Sequence, residues 1–143
     1  MDDSTITKTV FLPAAPETVW LFLTNKDKLG EWFHPALADL TPGHEYVLVG
    51  KDADGQESRI CWGEVLDMDR PNRLVYSFTV KPLNGAFTTV TWQLDAIQGG
   101  TRLTLVHEGI GQAAGDAALG LLRALDSGWD EHFNKLRSAV TAD

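Results

Sequence analysis

Cysteine is nearly absent from the sequence, and Cys61 is the only one. A single cysteine excludes an internal disulfide and is typical of a reducing compartment, so we expect the protein to be cytoplasmic. We expect Cys61 itself to be unreactive, because burial within a strand raises the pKa of a thiol. The four histidines and this cysteine lack the short spacings of metal ligands, so we expect no metal site and no cofactor.

Basic residues are also few, since 12 Lys and Arg stand against 20 Asp and Glu and give a formal net charge of −8. This charge argues against nucleic acids and anionic membrane surfaces as partners, because both attract clustered Lys and Arg. The sequence has a polar start and no apolar run of about 18 residues, so we expect neither a signal peptide nor membrane insertion. Its 143 residues are expected to form one domain, with a core from about residue 5 to residue 140.

The last part of the chain contains a stripe of seven apolar residues that are three or four positions apart. They are Ala118, Leu122, Leu125, Trp129, Phe133, Leu136 and Val140. This spacing predicts a helix from Asp116 to Val140, capped by Asp116, that buries one face and exposes charged residues on the other. Gly120 and Gly128 fall inside this helix. We expect Gly128, which precedes Trp129, to allow close packing against a sheet; a glycine tolerated at the surface is the main alternative, and room for a ligand beside the indole is less favoured than both.

Six earlier segments alternate polar and apolar residues, which is typical of half-buried strands. The predicted strands span residues 5–12, 45–51, 56–67, 73–80, 88–96 and 101–108. Short turns such as Asp54-Gly55 and Asn84-Gly85 join the last five, so these strands are expected to be antiparallel neighbours. Two short helices are predicted after the first strand, one opening at Pro16 and one over Asn25–Trp32. The expected fold is α+β, with a curved six-stranded antiparallel sheet around the long C-terminal helix.

Few side chains offer acid–base chemistry. His107 shares a predicted strand face with two leucines, so it can enter the interior as a hydrogen-bond donor or as an acid or base. A lone histidine on an apolar face is more often structural, and we therefore treat His107 as a weak catalytic candidate. Glu64 and Tyr76 are the residues that could share a proton transfer with it, and Glu108 is a further strand carboxylate.

The other three histidines are predicted on the long helix and on loops. His132 lies between the apolar stripe and the charged face of the predicted helix, beside two acidic residues, and we expect it to be solvated. His34 and His44 fall on predicted loops.

Several apolar side chains are predicted to face outward, on the side of the sheet away from the helix. They include Ile60, Trp62 and Val106. An exposed apolar face of this kind is typical of a protein interface, so a homodimer is a further expectation.

Short segments in a fixed order carry a family resemblance across nearly the whole chain, from about Thr5 to Val140. They are Pro16–Trp20 with Trp32-Phe33, Gly63–Val65, Arg73–Tyr76, Thr88–Thr91, Gly100–Leu105 and Gly128-Trp129. Together they resemble the activator of heat-shock-protein-90 ATPase (Aha-type) family, a group associated with the stress response. That family belongs to the START-like (SRPBCC) helix-grip superfamily, which also holds lipid-transfer proteins, plant pathogenesis-related allergens and polyketide cyclases.

The resemblance implies a hollow between the concave sheet and the long helix. The sequence agrees in one respect, because its five Trp, six Phe and two Tyr are directed largely toward one interior. Such a wall suits an aromatic or lipid-like ligand, whereas plain core filling is the alternative. Nine residues are predicted to line the hollow and bind the ligand: Trp32, Phe33, Tyr46, Tyr76, Phe78, Trp92, His107, Trp129 and Phe133. Trp62 is ambiguous because its strand is apolar on both sides.

Three functions remain open, since this superfamily uses one cavity for binding, transfer and catalysis. We favour non-catalytic binding of a small hydrophobic or aromatic molecule by a stand-alone Aha-like domain. The second is a module that contacts the heat-shock-protein-90 chaperone and its ATPase. We expect no separate N-terminal domain of the kind that the resemblance implies for full-length eukaryotic activators, and the charge of −8 gives no clear docking surface. The third is a cyclase- or hydrolase-like enzyme in which His107, with Glu64 or Tyr76, transfers a proton.

Overall fold

The predicted order of strands and helices is present in a computed structural model, which describes residues 4–142. The strands are β1 (Ile6–Leu12), β2 (Glu45–Lys51), β3 (Glu57–Asp69), β4 (Arg73–Val80), β5 (Thr88–Ile97) and β6 (Gly100–Glu108). The helices are α1 (Pro16–Thr24), α2 (Lys26–Trp32), α3 (Ile110–Ala114) and α4 (Ala118–Ala142), with single 3₁₀ turns at Lys81–Leu83 and Gly115–Ala117. The expected α+β helix-grip arrangement, a curved antiparallel sheet with a long C-terminal helix, is confirmed.

The sheet has the strand order β1-β6-β5-β4-β3-β2, so β1 and β2 form its two edges. Strands β2 to β6 pair in succession, as the short turns between them predict. β1 closes the other side by pairing with β6, from Ile6 opposite His107 to Leu12 opposite Thr101. Helices α1 and α2 carry the chain from one edge to the other, and α2 places Trp32 in the core.

A bulge in the pairing of β2 with β3 changes which side chains face the interior. Leu48 lies opposite Cys61, but the next residue, Val49, lies opposite Arg59, so Ile60 has no partner in the ladder. An extra residue of this kind disturbs the alternation of side chains between the two faces. Ile60 and Cys61 consequently both line the interior cavity described below. The prediction that Ile60 faces outward is therefore wrong, whereas Trp62 does lie on the outer face, under the guanidinium of Arg59.

Local signals set the helix ends. The Asn25 side chain accepts hydrogen bonds from two backbone N–H groups in the first turn of α2, both at 3.0 Å. Gly115 has φ +59°, in the left-handed region that favours glycine, and it separates α3 from the turn before α4. The long helix therefore begins at Ala118, and Asp116 lies in a 3₁₀ turn instead of capping it. No helix within residues 4–142 combines the length and apolar character that crossing a membrane requires.

The predicted apolar stripe is buried along only the second half of α4. Its last four members, Trp129, Phe133, Leu136 and Val140, are buried. Its first three are only partly buried, since Ala118, Leu122 and Leu125 are all half-exposed. The Lys8 ammonium of β1 holds the helix further, because it contacts the carboxylates of Asp126 and Asp130, each at 2.8 Å. The expected burial of all seven residues is thus wrong for the first half of the helix, which lies over a cavity.

Candidate functional site

A cavity of about 140 Å³ lies between α4 and strands β3 and β4. Three buried side chains form its floor, namely Cys61, Phe78 and Trp129. Its other lining residues are Phe33, His34, Ile60, Val80, Ala124, Leu125, Gly128 and His132, and no Asp, Glu, Lys or Arg is among them. Apolar cavities of about 150 Å³ hold one benzene molecule in other proteins. The volume therefore suits a ligand of about one aromatic ring.

Gly128 leaves space beside the indole of Trp129. A Cβ atom built on Gly128 would meet no heavy atom within 4 Å, apart from the helix's own nearby backbone. The expectation of close packing at this glycine is therefore wrong, because α4 stands away from the sheet at this point. Gly120 is equally open, but it does not line the cavity.

The nine residues predicted as a lining belong to one continuous network of ring contacts, centred on Trp129. Its ring centroid lies 5.2 Å from that of Phe33, 6.1 Å from that of Phe78 and 5.6 Å from that of Trp92. Of the nine, the cavity is lined directly by Phe33, Phe78 and Trp129. The other six pack against these three or against one another. They form the wall behind the cavity.

Polar atoms in this wall are paired inside the protein. The indole N–H of Trp32 donates to a carbonyl of α1 at 2.8 Å, and that of Trp92 donates to the Tyr76 hydroxyl at 2.9 Å. The Tyr46 hydroxyl donates to a carbonyl of β4 at 2.6 Å. Together with Phe133, which is also buried, these residues are fixed in position by packing and hydrogen bonds.

His107 is fully buried, and both of its ring nitrogens are used. The indole N–H of Trp129, which can only donate, lies 3.2 Å from Nδ1. Nδ1 is therefore the acceptor, and Nε2 carries the proton that it donates to Thr88 Oγ1 at 2.8 Å. The Thr88 hydroxyl in turn donates to the Phe78 carbonyl at 2.8 Å. This chain of bonds holds His107 in one neutral tautomer and leaves it neither a free lone pair nor a free proton.

Two histidines that were not predicted as lining residues, His34 and His132, line the cavity. The expectation of a solvated His132 is correct only in part, because the residue is half-buried, its Nδ1 lies 3.2 Å from the Trp32 carbonyl and its ring lies 4.7 Å from that of Phe33. His34 is half-buried, and its ring lies 5.5 Å from that of His132. A signal was available, since His132 follows Trp129 by three residues and therefore shares its helical face.

The titratable groups of the cavity are uncharged at neutral pH. Burial, and then the neighbouring His132 and Lys135, lowers the pKa of His34 to about 4. Burial also lowers the pKa of His132, against the hydrogen bond to Trp32 that favours its charged form. Burial raises the pKa of the Cys61 thiol to about 12, as its position in a strand predicts. Among the described residues, no group of three or more His, Cys, Asp or Glu is arranged to hold a metal ion.

A comparison with family models identifies the fold family. The model described as Activator of Hsp90 ATPase homolog 1-like protein matches residues 13–141, which include every residue that lines the cavity. The chain belongs to this family. Among curated proteins, none matches it significantly.

Many solved structures share this fold, and the three that follow each match nearly the whole of this chain. MLL2253 from Mesorhizobium loti is 23% identical with a TM-score of 0.76, covering 96% of this chain and 97% of its own. CalU16 from Micromonospora echinospora is 21% identical with a TM-score of 0.75. The match covers 95% of this chain and 75% of CalU16. DynU16, a protein in the dynemicin biosynthetic locus, is 23% identical with a TM-score of 0.78. The match covers 97% of this chain and 48% of DynU16, so this chain spans about half the length of DynU16. At these identities the likeness establishes the fold alone.

In this Activator of Hsp90 ATPase homolog 1-like chain, the residues considered for proton transfer are not brought together. Glu64 is exposed on the outer face of the sheet, whereas His107 is buried on the inner side. Glu64 and Glu108 are not on neighbouring strands either, because β4 and β5 separate β3 from β6. Tyr76 is buried, and burial raises the pKa of its hydroxyl.

A second depression, of about 550 Å³, lies on the outer face of the sheet. Its lining includes the apolar residues Trp62, Leu66 and Phe87 together with the charged residues Glu45, Arg59 and Glu64. The guanidinium of Arg59 lies 4.2 Å from the centroid of the Trp62 ring. Charged side chains keep water around this depression, so the inner cavity is the better candidate for an apolar ligand.

The buried state of His107 predicts a loss of stability in mild acid. Burial lowers its pKa to about 4 in the folded protein, whereas an unfolded histidine titrates near 6.5. The unfolded chain therefore binds more protons between these values, and His107 alone is expected to lower the free energy of unfolding by about 3 kcal/mol as the pH drops from about 6.5 to about 4. His34, whose pKa is also lowered to about 4, acts in the same direction. Urea unfolding at a series of pH values measures this. A free energy that stays constant from pH 7 to pH 4.5 would contradict it, and His44→Gln, at an exposed position, is expected to leave the slope unchanged.

Proposed function

We propose that the protein binds a small hydrophobic or aromatic molecule of about one ring in the cavity beside Gly128, without catalysing a reaction on it. The observation that carries this proposal is the combination of a volume of about 140 Å³, a ring-lined floor and a lining without charged side chains. Ligand sites are typically concave and mostly apolar, with a small number of polar groups that orient the ligand. Here the polar groups are His34, His132 and Cys61.

The rings around the cavity suit an aromatic ligand. Phe33 and Trp129 are tilted by 34° with centroids 5.2 Å apart, and Phe78 meets Trp129 at 41° and 6.1 Å. Aromatic pairs favour such tilted and edge-to-face geometries, and each contributes about 0.5–1.5 kcal/mol beyond the area that it buries. A ligand ring inserted beside Gly128 would add further contacts of this kind.

The state of the reactive groups supports binding over catalysis. A general base needs a free lone pair and a pKa near the working pH, whereas His107 uses both nitrogens and has a pKa of about 4. A nucleophilic cysteine acts as a thiolate, whereas burial raises the pKa of Cys61 to about 12. These side chains therefore serve the shape of the cavity and not a chemical step.

Toluene tests the proposal, because it is a neutral molecule of one ring. We expect its titration to shift the NMR signal of the Trp129 indole N–H, which lies at the floor of the cavity, and to leave that of Trp62 in place. The Trp129 signal thus reports on the cavity, and the Trp62 signal serves as a control within the same protein. The Trp62 signal is assigned by its loss in Trp62→Phe. An equal response at Trp62 would point to the outer depression. No response to toluene, and none to phenol as a polar one-ring molecule, up to their solubility limits would indicate a filled core and contradict the proposal.

A further inference from the structure

The hydrogen bond between His132 and Trp32 determines which proton His132 carries. A backbone carbonyl can only accept, so the Nδ1 atom that lies 3.2 Å from the Trp32 oxygen must be the protonated nitrogen. In the neutral ring, Nε2 then has a free lone pair. Within residues 4–142, no protein group forms a hydrogen bond to this atom. Every buried side-chain nitrogen and oxygen in that range has a hydrogen-bond partner. Nε2 has none, so it is not one of the buried atoms and solvent reaches it.

The surrounding rings hold this acceptor in place. The His132 ring meets Phe33 at 79° and Trp32 at 86°, with centroids 4.7 Å and 6.5 Å apart. It meets Trp129, on the cavity floor, at 67° and 6.1 Å. A ring fixed by one hydrogen bond and three aromatic neighbours loses little further freedom when a ligand binds. His34, in contrast, has no hydrogen bond within the described residues that selects one of its tautomers.

We infer that the cavity selects aromatic molecules that carry a hydroxyl or another neutral hydrogen-bond donor, and that the donor binds Nε2 of His132. This inference rests on the proposed binding function and narrows its ligand class to that of phenols. His132 would be the residue that determines specificity, with the aromatic floor holding the ring.

Rival ligand classes fit the cavity less well. A hydrocarbon removes water from Nε2 without replacing its hydrogen bond, which leaves a polar atom unpaired. A carboxylate finds no cation among the lining residues, because His34 and His132 are neutral and the whole chain carries a formal charge of −8. Sites built to hydrogen-bond a hydroxyl discriminate strongly against ligands that lack it, for the same reason.

Four one-ring probes separate these classes: phenol, anisole, toluene and benzoate. Anisole is the methyl ether of phenol and has no donor. Titration of the wild-type protein by NMR is expected to give phenol an affinity about tenfold higher than that of anisole, toluene or benzoate. In His132→Phe, which keeps a ring but removes the acceptor, the preference for phenol over anisole is expected to fall below about twofold. His44→Phe, at an exposed position outside the cavity, is expected to keep the full preference.

The results of these titrations separate the inferred selectivity for phenols from the proposed binding function on which it rests. If toluene or anisole binds the wild-type protein as tightly as phenol, or benzoate binds most tightly, the inference is overturned while ligand binding stands. A preference for phenol that survives in His132→Phe also overturns it. If none of the four probes binds the wild-type protein, both the inference and the proposed function fail. The comparison of phenol with anisole needs no variant, so it can still overturn the inference if His132→Phe does not fold.

Discussion

Replacing Gly128 by leucine is expected to abolish ligand binding while leaving the protein at least as stable as the wild type. A Cβ atom at this position meets no heavy atom within 4 Å apart from the helix's own nearby backbone, so the new side chain is expected to extend into the cavity. The affinity for toluene or phenol is expected to fall by more than about 30-fold, because the side chain occupies the ligand's place. Stability is expected to rise by up to about 1 kcal/mol, because glycine is unfavourable within a helix. NMR titration and urea unfolding measure the two effects.

Gly120→Leu is the matched control for this experiment. Gly120 lies on the same helix, and its surroundings are equally open, but it is exposed and does not line the cavity. The same gain in helix stability is therefore expected, with no change in affinity. If Gly128→Leu binds toluene or phenol as tightly as the wild type, the ligand does not occupy the space beside Trp129. A marked loss of stability in Gly128→Leu would show that the cavity is already filled.

Thr88→Val is expected to produce the largest loss of stability. The Thr88 hydroxyl accepts a hydrogen bond from His107 Nε2 and donates one to the Phe78 carbonyl. Valine can do neither, so the buried His107 N–H and Phe78 carbonyl both lose this partner. An unpaired buried group costs about 1–3 kcal/mol, and the free energy of unfolding is expected to drop by about 2–4 kcal/mol. Chemical denaturation at neutral pH measures the change.

Thr91→Val provides the comparison for that substitution. Thr91 lies on the same strand, β5, but it is half-exposed on the opposite face to Thr88. Valine has a high strand propensity, so a change within about 0.5 kcal/mol is expected at this position. Equal effects of the two substitutions would mean that the hydrogen-bonded chain through His107 does not contribute to stability.

The overall architecture could be predicted from sequence because it depends on repeated signals. Alternation defined the six strands to within about two residues, and turns such as Asp54-Gly55 allowed only antiparallel neighbours. The spacing of apolar residues located the long helix in the same way. Each of these signals is spread over many positions, so a single irregular residue does not remove it.

Features that depend on one residue could not be predicted by periodicity. The bulge at Ile60 changes the register of one strand pair and redirects a side chain that alternation had placed outside. Gly115 separates α3 from α4 through a single left-handed residue. Both depend on local backbone geometry, which leaves no repeating pattern in the sequence.

The ring network was predicted as a set, but its division into cavity and wall was not. That division depends on how far α4 stands from the sheet, which no spacing specifies. The same distance explains why Gly128 is open instead of tightly packed. His132 was missed because the helical stripe was defined by apolar residues alone, although its position relative to Trp129 places it on the same face.

Membership in the Activator of Hsp90 ATPase homolog 1-like family establishes the fold more firmly than the function. One cavity in such a fold can serve binding, transfer or catalysis, and the residues that line it decide which. In this chain the lining is uncharged and rich in rings, and its acceptor on His132 is fixed by Trp32. The expected ligand follows from these side chains and not from the family name.

The uneven burial of α4 means that one part of the helix beside the cavity is held firmly and the other part is held weakly. Trp129, Phe133 and Leu136 anchor the second half of the helix, and Lys8 of β1 holds the middle of the helix through Asp126 and Asp130. The turns before Asp126 rest on partly exposed leucines, so they are the part of the helix that is expected to move while every strand pairing stays intact. Ligands larger than one ring are therefore expected to displace these first turns of the helix and not to spread the sheet.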